Sequence, residues 1–168
     1  MRTASGSKDY FKQAGVDIGQ GKYHEEMVYG LALMYRTIFE AINDDLKKYE
    51  LTPGEMNVLM LIKHRGQDRG FSQIHMGRHL MVTAHNMTRL IQRLERGGLV
   101  RRSTDQKDGR VNLVKITPKG AKLLDDIWPS YDMRVREMAN KLTLKDQADL
   151  ARLIKKWLSQ HRTINSYV

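Results

Sequence analysis

Residues 83–116 read TAHNMTRLIQRLERGGLVRRSTDQKDGRVNLVKI, and the change of period inside this stretch decides the fold. Thr83 has the side chain that caps a helix start. Met87, Leu90, Ile91 and Leu94 then recur at i, i+3, i+4 and i+7, the apolar stripe of one helix, and Gly97-Gly98 stops it. After Leu99 the pattern becomes that of two short strands, 99–103 and 110–116, with Val111 and Leu113 alternating against polar neighbours. The segment 104–109 between them is polar and ends in Asp-Gly, a hairpin signal.

Outward from this stretch, Thr52-Pro53-Gly54-Glu55 has the form of a capping box with Pro at the first helical position, and Leu51 and Met56 are spaced as a hydrophobic staple. Met56, Val58, Leu59 and Ile62 continue that helix to about His64, and 65–70 is a polar loop. Ser72 can cap a short helix to about Leu80, with Ile74 and Leu80 pointing inward, before a tight connection at Met81-Val82. Upstream, 23–49 is helical, with Met27, Leu31, Met34, Ile38, Ile42 and Leu46 every three to four residues and further apolar side chains on other faces. Such a helix packs against more than one neighbour. Residues 1–21 carry four glycines and no apolar period, the pattern of a mobile arm with a turn near Tyr10 and Phe11. Downstream, Thr117-Pro118 opens a helix that Pro129 should kink or break near Trp128. Thr143 with Asp146 caps a last helix, striped by Leu150, Leu153, Ile154, Trp157 and Leu158. The order helix, short helix, tight turn, helix, hairpin is that of a winged helix-turn-helix.

Charge points to the same segment. Residues 63–122 hold fourteen Lys/Arg against four Asp/Glu and so carry the whole net charge of +10; the rest of the chain has fifteen of each sign. A field concentrated in this way attracts polyanions, nucleic acid foremost. On the helix after Thr83 the apolar stripe faces the domain, so His85, Asn86, Arg89, Gln92, Arg93 and Arg96 lie on or beside the opposite face. Asn and Gln can bond adenine edges, Arg can bond guanine, and Arg or His can take phosphate. Glu95 is the one acid opposing them. The expected DNA-binding set is Ser72, Gln73, Thr83, His85, Asn86, Arg89, Gln92, Arg93, Asp108 and Arg110. A winged helix used only for protein contact, without sequence-specific DNA binding, is the competing reading; it would suit a charge-balanced helix, which this is not.

The stretches LTPGEMNVLMLI, MTRLIQRLERGGLVRR, DQKDGRVNLVKITPKG and LTLKDQADLARLIKKW together resemble the MarR family of transcriptional regulators, over residues 23 to about 161. The resemblance implies a mainly α fold with a small β-hairpin wing, a winged helix-turn-helix domain plus a helical dimerisation region. It divides the chain into a flexible arm (1–21), a dimerisation helix (22–50), the DNA-binding domain (51–117), C-terminal dimerisation helices (118–162) and a tail (163–168). It also implies a homodimer on a pseudo-palindromic double-stranded DNA operator, often released by a small ligand. In the family's wing an Asp two residues before an Arg orients it, and Asp108 and Arg110 occupy those places. The ligand site, between the dimer arms and the DNA-binding lobe, corresponds to Tyr29, Leu33, Tyr35, Met56 and Trp128, aromatics that suit a phenolic or aryl acid and a plain core equally.

Other chemistries find little support. There is no cysteine, hence no disulfide, thiolate metal site or thiol switch. His75 and His79 share a helix face at a chelating spacing, the basis of an alternative metal-responsive reading, but no third ligand stands beside them in sequence. The ten methionines are dispersed over apolar stripes and read as core. No phosphate loop, dinucleotide fingerprint, nucleophile elbow or paired-His zinc motif occurs, so neither an enzyme nor a cofactor is expected. The longest apolar run, 27–35, is too short to span a bilayer, and a cytoplasmic protein without a membrane partner is expected.

Overall fold

The computed structural model describes residues 11–12, 15, 19, 21–66, 69–80, 82–104 and 112–160. The chain divides into two compact units, Met1–Asp44 and Asp45–Val168. Helix α1, Tyr23–Leu46, forms half of the first and ends in the second. Glu25 and Glu26 place negative charge on its positive N-terminal end, and Glu26 accepts the Gly19 N–H at 2.8 Å. Phe11 lies against α1 at Gly30, where a Cβ would come within 3.2 Å of its ring. Tyr10 and the rest of the expected mobile arm lie outside the described residues, Phe11, Lys12, Gly15, Gly19 and Gly21 excepted.

The second unit begins with the end of α1 and a 3₁₀ turn, Lys47–Tyr49. Helix α2 (Pro53–Leu61) follows and passes into a π turn, Ile62–Gly66. Next come β1 (Phe71–Ser72), α3 (Gln73–His79), α4 (Ala84–Arg96), β2 (Val100–Thr104), β3 (Asn112–Ile116), α5 (Pro118–Ala139) and α6 (Leu144–Ser159). The three strands form one antiparallel sheet in the order β1-β3-β2, with Phe71 opposite Val114 and Val100 opposite Ile116. Its buried face closes over a core of Met56, Val58, Leu59, Ile62, Met76, Met87, Ile91 and Leu94, with Val114 as the fully buried residue of β3. Among the described residues no helix is long and apolar enough to cross a membrane.

Local signals hold where the chain is free to obey them. Thr52, Thr83, Thr117 and Thr143 each cap their helix through the side chain, and both halves of the Thr52–Glu55 capping box form. Leu51 and Met56, the staple pair, are both buried.

Three expectations are corrected. Ser72 stands at the start of α3 but makes no cap hydrogen bond, because it belongs to β1 and pairs with Leu113. Ile74 is 68% exposed; α3 buries Met76 instead, and two residues of helix turn the chain by roughly 200°, so both cannot face inward. Of the kink or break expected near Trp128, the break does not occur: α5 continues through Pro129 from Pro118 to Ala139. Proline removes one N–H; Ser130 Oγ donates to the Ile127 carbonyl in the same turn at 2.9 Å, and α5 is tied on either side of Pro129, at Thr117 and at Arg134.

On the upstream side, the end of α4 is bolted to the start of α5. Gly98, at φ +70°, closes α4 with a Schellman motif: its N–H donates to Glu95 O at 2.9 Å, and the Leu99 N–H donates to Leu94 O at 2.9 Å. The Leu99 carbonyl then accepts from the Thr117 N–H at 3.0 Å, and Thr117 Oγ1 donates to the neighbouring Gly98 carbonyl at 2.7 Å. Gly120 sits so close that a Cβ there would be 2.1 Å from the Leu99 oxygen. On the downstream side, Arg134 of α5 grips Asp45 by two hydrogen bonds, Nε to Oδ2 at 2.7 Å and Nη2 to Oδ1 at 2.9 Å. The guanidinium holds the Asp45 carboxyl below its ordinary 3.8.

Two outcomes follow. Gly120→Ala should destabilise the protein by about 1–3 kcal/mol, although alanine ordinarily favours a helix. Gly54→Ala, whose Cβ would meet only ordinary contacts at 3.5 Å from Leu90, should be neutral or stabilising in the same urea titration. Because the folded state holds Asp45 with a depressed pKa, its contribution is complete above the ordinary value of 3.8 and is lost as pH falls through the depressed one. Urea midpoints measured from pH 6 downward should therefore fall less steeply below about pH 4 for Asp45→Asn than for the native chain.

Candidate nucleic-acid interface

The face of α4 is set by what its other side buries. Met87, Ile91 and Leu94 are in the core, and Leu90 is half-buried against Gly54 at the start of α2. That packing leaves His85, Asn86, Arg89, Gln92, Arg93 and Arg96 exposed together. Thr83 begins the helix by accepting the Asn86 N–H at 3.3 Å. Glu95 does not neutralise this face: Arg102 of β2 turns it aside through its N–H at 3.3 Å and an Nε ion pair at 3.3 Å.

Gln73 is spent internally. Its Nε2 donates to Thr88 Oγ1 at 2.8 Å, and Thr88 Oγ1 donates to the Ala84 carbonyl at 2.9 Å, so α3 braces α4. Ser72 is half-buried in β1. Asp108 and Arg110 lie outside the described residues.

The residue that sequence reasoning undervalued is Glu55. Read as a cap, it is also an anion only 1% exposed whose Oε1 pairs with Arg93 Nε at 2.9 Å. No local pattern announces this, since the partners are on different helices and far apart in sequence. Thr52, Glu55, Asn86, Arg89, Gln92, Arg93 and Arg96 line an open depression of about 550 Å³ between the start of α2 and α4. Its donors and its charge suit an anionic polymer with hydrogen-bonding edges.

Of the paired histidines, His79 is otherwise engaged. His79 Nδ1 lies 2.9 Å from the His75 carbonyl, and its Nε2 lies 3.1 Å from Arg65 Nη1. A carbonyl only accepts and a guanidinium only donates, so the ring carries its proton on Nδ1 and accepts at Nε2. Both nitrogens have partners, and among the described residues no group of three His, Asp or Glu could hold a metal ion.

Of the residues matched to a ligand site, Tyr29, Leu33 and Tyr35 belong to α1 in the first unit, with Tyr29 and Tyr35 exposed and Leu33 half-buried. In the second, Met56 is buried in the core, whereas Trp128 lines a cavity of about 150 Å³ with Met60, Lys63, His64, Leu124 and Asp125. An ion pair between Lys63 and Asp125 stands beside it, and His64 meets the Trp128 ring edge-on at 6.5 Å between centroids.

Known proteins are similar to this chain in sequence and fold. A family model described as MarR family matches residues 49–111. The HTH-type transcriptional regulator MhqR of Bacillus subtilis is 31% identical over 126 residues, covering 75% of this chain and 85% of that protein. The chain belongs to the MarR family of transcriptional regulators. Members of this family are regulators rather than enzymes. The fold extends to solved MarR-family structures. A MepR–DNA complex from S. aureus superposes with a TM-score of 0.73 at 20% identity, over 80% of this chain and 97% of that one. CouR from Rhodococcus jostii RHA1, bound to p-coumaroyl-CoA, gives 0.72 at 21% identity, over 83% and 94%.

The bracing by Gln73 can be checked. Gln73→Ala leaves Thr88 its bond to Ala84 but unties α3 from α4, and should lower stability by about 0.5–1.5 kcal/mol in a urea titration.

Proposed function

We propose that this chain is a sequence-specific, double-stranded DNA-binding transcriptional regulator, a cytoplasmic homodimer acting as a repressor that a small ligand releases. The observation that carries the reading is the exposed face of α4, where Asn86, Arg89 and Gln92 stand among three further basic or potentially basic side chains while the one acid of the helix is tied to β2.

In this reading α4 enters the major groove. Asn86 and Gln92 offer the donor–acceptor pair that matches adenine, and Arg89 the two parallel donors that match guanine. Arg93, Arg96 and His85 take phosphates, which fix register without reading sequence. The wing would lay Arg110 into the neighbouring minor groove, with Asp108 holding its guanidinium. MepR, with the same fold, has been crystallised on DNA.

Two exposed apolar stripes support the dimer. Leu150, Leu153 and Leu158 on α6 and Met27, Val28 and Met34 on α1 are exposed in the single chain. A two-fold axis would set the two reading helices about one DNA turn, ~34 Å, apart, so the operator would be an inverted repeat. The cavity beside Trp128 is the effector site we favour within the second unit. Its volume of about 150 Å³ suits one aromatic ring, and Lys63 at its edge could exchange Asp125 for a ligand carboxylate. CouR, of the same fold, is bound to p-coumaroyl-CoA.

Light scattering at micromolar concentration should give twice the chain mass of 19.5 kDa; a monomer would overturn the inverted-repeat operator with it. Selection from a randomised duplex pool should return such a repeat. Arg89→Ala should then bind the selected duplex about 1–3 kcal/mol more weakly, with relaxed preference at one position per half-site. Equal loss on selected and random duplexes would make Arg89 a phosphate contact.

A further inference from the structure

We infer that Glu55 is a positioning residue for DNA binding: from inside the domain it fixes the guanidinium of Arg93 on the reading face. The inference rests on the DNA-binding reading of α4.

The argument starts from what the cap requires. Both Thr52 groups, its N–H at 2.8 Å and its Oγ1 at 2.7 Å, use the same carboxylate oxygen, Oε2 of Glu55. A neutral glutamine at this position would supply the one acceptor the capping box needs. The second oxygen and the negative charge are therefore surplus to the cap, in a side chain only 1% exposed, where an unpaired charge is costly. They are used by Arg93, whose Nε stands 2.9 Å from Oε1.

Arg93 is at the same time a surface group, its side chain 57% exposed, in the depression that Asn86, Arg89, Gln92 and Arg96 also line. Among the described residues neither Arg89 nor Arg96 makes an ion pair, so of the three arginines on this face Arg93 alone is oriented before DNA arrives. Reaching for a base edge would pull it off a buried carboxylate. Held by Nε, it keeps Nη1 and Nη2 for a phosphate and has less side-chain freedom to lose on docking. Glu55 thus acts on DNA through Arg93, an anion that promotes the binding of a polyanion.

The test is a double-mutant cycle of Glu55→Gln and Arg93→Ala, read on two quantities: the urea midpoint, and affinity for a selected duplex and a random duplex at fixed salt. Glu55→Gln keeps the cap acceptor and should remain folded while binding both duplexes roughly tenfold more weakly. Adding Arg93→Ala to Glu55→Gln should cost clearly less affinity than adding it to the native chain. A folded Glu55→Gln with native affinity, or losses that simply multiply, overturns the positioning role, including the case in which coupling appears in stability alone. If Glu55→Gln does not fold, Arg93→Lys decides: it keeps the charge but not the guanidinium, and native affinity in this variant overturns the inference. A native chain that binds neither duplex overturns the DNA-binding reading and this inference with it; a native chain that binds while both variants match it overturns this inference alone.

Discussion

The carbonyl oxygen of Leu99 is where the reading helix, the sheet and the long helix α5 meet. Directly after the Gly98 that closes α4, whose own carbonyl takes the Thr117 hydroxyl, it accepts from the backbone N–H of Thr117 and lies within contact of Gly120. Two successive carbonyls tied to one threonine, with no room for a side chain beside the second, leave the junction little freedom. The direction in which α4 leaves the domain is therefore set at its C-terminal end by backbone groups and the Thr117 hydroxyl, away from its outward face. Its other attachments refine that direction: Gln73 on Thr88 near the N-terminal end, and Glu55 on Arg93 nearer the C-terminal end. Apart from Arg93, the exposed side chains of α4 take no part in holding the helix, which is attached from behind.

This separation explains the electrostatics of the face. A run of like charges on one helix repels itself, and the usual remedy is interleaved acids on the same surface. Here the counter-charges are placed out of the way. Glu95 is bent towards β2, and Glu55 is buried beneath the helix. The outward potential stays positive while two of the arginines in and beside α4 are partly compensated, Arg93 from the buried Glu55 and Arg102 from Glu95 at the edge of β2.

How much of this was readable follows from range. Four threonine caps, the Gly98 stop and the i, i+3, i+4, i+7 stripe of α4 are all decided within a few residues, and the structure has them where the sequence puts them. Ser72 fails as a cap because its strand partner, Leu113, lies far along the chain. Pro129 fails as a breaker because α5 is gripped on both sides of it, at Leu99 upstream and at Asp45 downstream. Glu55 was legible for its local duty and opaque for its distant one. Chemistry along one helix face can be listed from sequence, but which member of that face is tethered depends on a partner from another helix.

The pairing of β1 with β3 bears on the order in which the domain assembles. Phe71 and Val114 stand about forty residues apart, and the chain between them holds α3, α4 and β2. Closing a loop of that length is entropically expensive, and a two-residue strand returns little for it by itself. The helices inside the loop make local contacts and can form first, with the β1–β3 register as the late step that locks them. A chain released from a ribosome would thus carry a formed reading helix before it had a finished sheet. Slippage in so short a strand would then appear as slow, heterogeneous refolding, with the native state itself unchanged.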